Sequence, residues 1–227
     1  MQLVGVLAPG TPTAVRLTIA HGQDPRMQLW RRGWILKHLL STHIDDGQLV
    51  VTAVIYPKKK NSTPPKVRSH PIHRDARPRL GERPIPYQRI AAYAIVHSSR
   101  GLLGTQCSHL TAIPGRWQLP GGGLEDGESP SKAVIREVHE ETGQHIVLEK
   151  LLDIQSDRWI GRSPQGRLED FQALRLFYLA SCPHPSTPVV LDRGGTTSSA
   201  RWIDICSWRS YPWTSGTRII LENYLHM

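Results

Sequence analysis

Residues 121–144 read GGGLEDGESPSKAVIREVHEETGQ. The stretch opens as a glycine-rich loop and continues as a short acidic helix. Ser129 is a good N-cap, Pro130 suits the first helical position, and Gly143 supplies a left-handed stop. Val134, Ile135 and Val138 form one apolar stripe between these ends. At about 100° per residue, Glu137, Glu140 and Glu141 fall within an arc of about 100° beside that stripe. Three carboxylates crowded on one face repel each other, whereas a solvated helix face usually intersperses both signs. Two readings of the glutamates remain. One is an acidic solvent face. The other is an oxygen-donor set for a hard divalent cation, Mg²⁺ or Mn²⁺, which keeps positions open for water and phosphate oxygens.

Spacing decides between them. Gly122 is followed by five residues and Glu128, then by seven residues and Arg136-Glu137, then by Val138, His139, Glu140-Glu141, Thr142 and Gly143. This resembles the Nudix box, G-x5-E-x7-R-E-U-x-E-E-x-G-U, with U a bulky aliphatic residue. All seven fixed residues match. At a background of roughly one in fifteen per residue, such a match arises by chance on the order of 10⁻⁸ times per start position. The one departure is Gln144, where the pattern wants an aliphatic side chain; Ile146 is the candidate to take over its packing. The resemblance spans residues 87–226 and leaves the first 86 uncovered.

The resemblance implies an α/β fold, the α/β/α sandwich with a mixed β-sheet, here with a small N-terminal α+β extension. It also implies a Mg²⁺-dependent hydrolase (Mn²⁺ serving as well) that cleaves a phosphoanhydride in a nucleoside diphosphate linked to another group. Glu137, Glu140 and Glu141 match the metal-binding glutamates, and Glu137 also matches the proton acceptor. Arg136 matches the arginine that orients a glutamate, with Glu128 as its partner, and the carbonyl of Gly121 or Gly122 would add a metal ligand. The approach WQLPGG resembles the triphosphate-cleaning, MutT-like members, while the SQPWPFPxS signature of the NADH hydrolases is missing. Two alternatives stay open. One is a non-catalytic nucleotide sensor, which the complete glutamate set argues against. The other is an enzyme directed to RNA 5′ ends.

Outside the box the resemblance implies one further carboxylate. Glu169 and Asp170, at the head of a strand, are the candidates, ahead of Asp157 and Asp192; ordinary exposed acids would look the same. Trp117, Trp159 and Tyr178 could stack on a base or simply pack. Arg158, Arg162 and Arg167 could clamp a distal phosphate or form a solvated basic turn. His139 points away from the three glutamates and reads as a surface residue.

Composition bounds the rest. The chain has 227 residues, 39% of them hydrophobic, which is enough for a core, and no apolar run approaches a transmembrane span. The N-terminus MQLVGVLAPG is a poor signal peptide because it lacks a basic n-region. Cys107, Cys182 and Cys206 are scattered and odd in number, which reads as reduced, buried thiols in a cytoplasmic protein. A net charge of +9 favours anionic partners, nucleotides first. Nucleic acid is the less favoured partner, and the sequence does not reveal an oligomeric state.

Three regions are expected: residues 1–56, a basic Pro-rich linker over 57–86, and the Nudix domain over 87–227. Residues 14–20 read as a strand, and Asp24-Pro25 starts a helix running to about His43, with Trp30 and Trp34 packing inward. Asp46-Gly47 reads as a turn before a strand over 49–57. Residues 57–89 carry ten Lys or Arg against Asp75 and Glu82, a composition that cannot fold alone. The alternative to a linker is a basic arm for RNA, weakened by the lack of interleaved aromatics. Strands follow over 89–97, 101–107, 145–156, 169–181 and 199–205, a basic turn over 158–167, and a closing helix over 214–227.

Overall fold

The computed structural model describes residues 1–67, 72–73 (backbone only), 78–163, 165–192 and 194–225. Parts of the expected linker and the last two residues of the expected closing helix therefore lie outside the described residues. Two compact units emerge, Met1–Ile90 with Ile154–Arg175, and Ala91–Asp153 with Leu176–Met227.

The first unit begins with β1 (Gln2–Val6), β2 (Thr13–Thr18), α1 (Pro25–Arg31), β3 (Trp34–Asp45) and β4 (Gln48–Pro57). Their sheet runs β2-β1-β4-β3, with β1 and β4 parallel and the outer pairs antiparallel. Val51, Ala53 and Ile55 of β4 are fully buried, as a central strand demands. Asp46 and Gly47 take positive φ (45° and 70°) and make the two-residue turn between β3 and β4.

The expected long helix is corrected here. It starts as read, with the Asp24 carboxylate accepting from Met27 N–H and Pro25 in the first turn. It then stops at Arg31, because Gly33 at φ 82° donates its N–H to the Trp30 carbonyl and reverses the chain. Residues 34–45 form β3, ladder-bonded to β4. A non-local partner overrides the helical spacing of the leucines.

The remaining elements are β5 (Ile72–His73), β6 (Ile85–Ser98), β7 (Gly101–Cys107), β8 (Trp117–Gln118), β9 (Gly121–Gly123), α2 (Pro130–Thr142), β10 (Val147–Arg162), β11 (Leu168–Ser181), β12 (Thr197–Ile203) and α3 (Ser215–Tyr224). The second sheet runs β12-β7-β6-β11-β10-β5, with β8 on β7 and β9 on β6. Its β5/β10 pair is parallel and its β12/β7 pair antiparallel, so both sheets are mixed and the α/β expectation holds. β10 reaches Arg162, so the first part of the expected basic turn is strand, and beyond it the Ser163 N–H bonds the Arg167 carbonyl. Trp159 stacking on Phe171 keeps this part of the chain extended.

In the second unit, Ile95, Leu119, Phe177, Trp208 and Trp213 share one core with Ile220 and Leu221 of α3. The Tyr224 hydroxyl bonds the Leu152 carbonyl at 3.1 Å and fixes the end of α3. Cys107 and Cys182 are buried, and burial pushes both thiols up. Cys206 is exposed, against expectation, because it follows β12 in a surface turn. Among the described residues, no helix is long and apolar enough to cross a membrane.

Candidate functional site

The box helix α2 has the expected ends. Ser129 caps it by accepting from Lys132 N–H, and Gly143 at φ 68° closes it on the His139 carbonyl at 2.7 Å. Ala133, Val134 and Val138 are fully buried, but Ile135 is 43% exposed and falls off the predicted stripe. The buried stripe runs through Ala133, Val134, Val138, Glu141 and Thr142 instead, so the helix turns one of its glutamates inward. His139 is half-buried and stacks on His145 at 4.6 Å, so it is not a plain surface residue.

Arg136 organises the acids. Its Nε donates to Glu128 Oε1 at 3.0 Å and its NH2 group to Glu128 Oε2 at 2.9 Å, a bidentate grip between loop and helix. The same NH2 group reaches the Gly123 carbonyl at 3.1 Å. NH1 lies 2.9 Å from Glu140 and 3.2 Å from Glu137. Hydrogen bonds from Arg136 hold the Glu128 carboxyl below its ordinary range, and those same bonds raise the arginine further. With Glu125 at 3.9 Å from Nε, one guanidinium thus serves four carboxylates.

Glycine is required at two points. Gly121 sits at φ 140°, and a Cβ there would lie 2.2 Å from the Ala92 carbonyl oxygen. A Cβ on Gly122 would lie 2.4 Å from the Glu137 carboxylate. The strand β9 is therefore bare where Glu137 meets it.

Glu141 has a different environment. It is 6% exposed, accepts the Gly121 N–H at 2.9 Å, and accepts the Thr197 hydroxyl. Burial pushes its carboxyl up to about 8, against the two hydrogen bonds and helped by the negative charges of Glu137 and Asp192. Thr197, itself buried, was not legible in the sequence because its partner lies 56 positions away.

The loop before β12, which carries the candidate Asp192, packs onto the end of α2. Val189 N–H bonds the Thr142 carbonyl at 3.0 Å, while Leu191 and Asp192 N–H groups bond the Glu140 carbonyl at 2.8 and 3.1 Å. These amides satisfy carbonyls that the end of α2 would leave orphaned. Gln144 explains its departure from the box pattern by joining in. Its side-chain amide donates to the Ser186 hydroxyl at 2.9 Å, and its carbonyl accepts the Ser186 N–H at 2.9 Å. Ile146, 9% exposed, takes the apolar position.

Among the described residues, no three His, Cys, Asp or Glu side chains are already gathered around one point. Arg136 and Thr197 hold the glutamates instead. The donor set still fits a hard cation: Glu137, Glu140 and Glu141 are all oxygen donors, and the missing side chain of Gly122 lets the Glu137 carboxylate lie against the strand.

The other expected site residues are engaged locally. Trp117 is 7% exposed and packs edge-on against Tyr211 at 5.3 Å. Arg158 grips Asp170 through Nε at 2.7 Å and through NH2, with His21 3.4 Å from the same carboxylate. Glu169 pairs with Arg167 at 2.6 Å, Asp157 with Arg175 at 2.5 Å, and Arg162 with Glu82 at 2.7 Å.

A model of the NUDIX domain matches residues 87–221, more than half of the chain. Nudix hydrolase 25 of Arabidopsis thaliana is 61% identical over 31 residues, which is 14% of this chain and 18% of that protein. Nucleoside triphosphatase NudI of Klebsiella pneumoniae is 26% identical over 112 residues, 48% of this chain and 77% of that protein. An RNA pyrophosphohydrolase of Bartonella quintana is 39% identical over 64 residues, 26% of this chain and 37% of that protein. The chain thus spans 18% of the length of Nudix hydrolase 25 and 27% of that of another Arabidopsis thaliana relative, Nudix hydrolase 26, chloroplastic.

Proposed function

The chain belongs to the Nudix family, and on that premise we propose that it hydrolyses a phosphoanhydride bond of a nucleotide with Mg²⁺ or Mn²⁺ as cofactor. The substrate class is a nucleoside diphosphate linked to another group, nucleoside triphosphates included. The observation that carries this reading is the crowding of acids at the box: Glu125, Glu128, Glu137 and Glu140 share the Arg136 guanidinium, and Glu137 abuts a bare glycine.

Glu137, Glu140, Glu141 and the Gly122 carbonyl would hold the cation. When bound, it supplies charge neutralisation for the phosphates and a more acidic water. Glu137, whose carboxylate lies where a side chain on Gly122 would be, takes the proton from the attacking water. Arg136 and Glu128 act as positioning residues, because their bidentate pair fixes the loop against the helix. Trp117, Arg158, Glu169 and Asp170 have neighbours that already use their surfaces, and we assign them to structure.

The same chemistry could act on RNA 5′ ends. The match to an RNA pyrophosphohydrolase and the net charge of +9 favour that second reading. A hydrolysis panel with saturating Mg²⁺ or Mn²⁺ separates them. It contains canonical and oxidised nucleoside triphosphates, ADP-ribose, NADH and a 5′-triphosphate RNA, with Glu141→Gln as control. Turnover of one substrate, lost in the variant, is expected. If no substrate turns over while a nucleotide still raises Tm, the protein is a sensor and the proposal fails.

A further inference from the structure

We propose that Thr197 is a positioning residue for the cation: its hydroxyl, turned toward α2 by a bulge in β12, fixes the orientation of the Glu141 carboxylate. The inference rests on the hydrolytic reading, in which Glu141 is one of the ligands. Thr197 is 7% exposed and Glu141 6%. The Thr197 hydroxyl donates to Glu141 Oε1, and the Gly121 N–H donates to Oε2 at 2.9 Å. The terminal torsion of a glutamate is otherwise broad, and one donor on each oxygen stops it from swinging. Each carboxylate oxygen accepts at two lone-pair sites, so both oxygens keep one for a cation.

The backbone of β12 is built to aim that hydroxyl. Thr197 pairs with Cys107 and Ser199 with Gln106, so β12 takes two steps where β7 takes one. Ser198 is the extra residue of this bulge. By alternation Ser199, Arg201 and Ile203 share one face, on which Arg201 lies over Trp117 and Ile203 packs with Ile220 and Leu221 of α3. Regular pairing would put Thr197 on that face too. The bulge turns it to the opposite face, where it meets Glu141 of α2. Hydrogen bonds secure the bulge on both sides. The Ser198 hydroxyl donates to the Gln106 carbonyl at 3.0 Å, and the Ser108 N–H donates to the Thr196 carbonyl at 2.8 Å. The ordinary role for such a threonine is to satisfy a buried acid, and its loss would then register in stability alone. The loss of a group that orients a metal ligand registers in metal affinity.

Mn²⁺ binding to the full chain without nucleotide separates the two roles, read from the electron paramagnetic resonance of free Mn²⁺. Thr197→Val keeps the branched shape and removes the donor, and it should raise Kd about tenfold. Thr197→Ser keeps the donor and should retain the parental affinity. In the Glu141→Gln background, Thr197→Val should add no further loss, because the hydroxyl acts through that carboxylate. Cooperative thermal melting shows that each variant is folded. A parental Kd in Thr197→Val, even with a lowered Tm, overturns the proposal, since the hydroxyl is then purely structural. Equal losses in Thr197→Val and Thr197→Ser overturn it as well, by assigning the effect to packing. So does a full penalty that persists in Glu141→Gln. The hydrolytic reading fails separately: Mn²⁺ affinity that needs the hydroxyl, with no nucleotide turned over, defeats that reading and supports this one. A parent chain that takes up no Mn²⁺ overturns both.

Discussion

The box helix and the β10–β11 hairpin end are both rich in acids, and they handle them in opposite ways. On the hairpin each carboxylate has its own arginine: Asp170 with Arg158, Glu169 with Arg167, Asp157 with Arg175. Around α2 Arg136 answers Glu125, Glu128, Glu137 and Glu140, and Glu141 is buried against the Gly121 N–H and the Thr197 hydroxyl. Matched pairs hold a fold together without needing anything else. An unmatched cluster costs stability through repulsion, and a fold tolerates it where a cation or a reaction compensates. The difference teaches where structure ends and chemistry begins in this chain.

The sharpest way to break that comparison is to neutralise one acid from each region. Glu137→Gln should lower kcat about 10³-fold at saturating Mg²⁺ while leaving the urea midpoint nearly unchanged. Glu128→Gln comes next. Losing half of the bidentate grip on Arg136 should cost about 10- to 100-fold in kcat or metal affinity, measured by a Mg²⁺ titration of activity. Asp170→Asn should do the reverse. It leaves Arg158 and His21 without their anion, and should lower unfolding free energy by about 2 kcal/mol while sparing kcat per folded molecule. A large kcat loss in Asp170→Asn would erase the distinction between the two regions.

A pH series sharpens it. The Arg158 hydrogen bond holds the Asp170 carboxyl below its ordinary value of 3.8, with burial opposing. A depressed folded pKa means that the contribution is complete above the unfolded pKa and is lost as pH falls through the folded one. The wild-type chain should therefore lose more stability below about pH 4 than Asp170→Asn does, so that their urea midpoints converge there. The smallest effect is expected at Ile135. Its Ala variant should stay within about 0.5 kcal/mol of the parent, since the side chain is exposed.

Local signals were legible in the sequence. Ser129, Pro130 and Gly143 mark the ends of α2 because caps act within one turn. The Glu128–Arg136 pair follows from spacing within the box. What escaped depends on partners distant in sequence. β3 carries a helix-like row of leucines and becomes a strand only because β4 pairs with it. Ile135 was misplaced because the inward turn of Glu141 rotates the buried face, and that turn depends on Thr197. The Arg158–Asp170 and Arg175–Asp157 pairs of the hairpin need both strands in register before they can be seen.

Neither compact unit is a continuous stretch of chain, and this governs how the protein can be divided. The segment Ile154–Arg175 is contained within the later part of the sequence yet belongs with Met1–Ile90. Its Gln172, fully buried, takes the Gly22 N–H on its side-chain carbonyl at 2.7 Å and gives an N–H to the Gln23 carbonyl at 2.8 Å. A fragment cut at the edge of the family match keeps this segment and discards what it binds. It would carry a buried amide and the Arg158–Asp170 pair into water as a sticky, half-finished surface. On the ribosome the same interleaving sets a schedule: residues 1–57 can pair among themselves early, but their unit stays open until Arg175 has emerged.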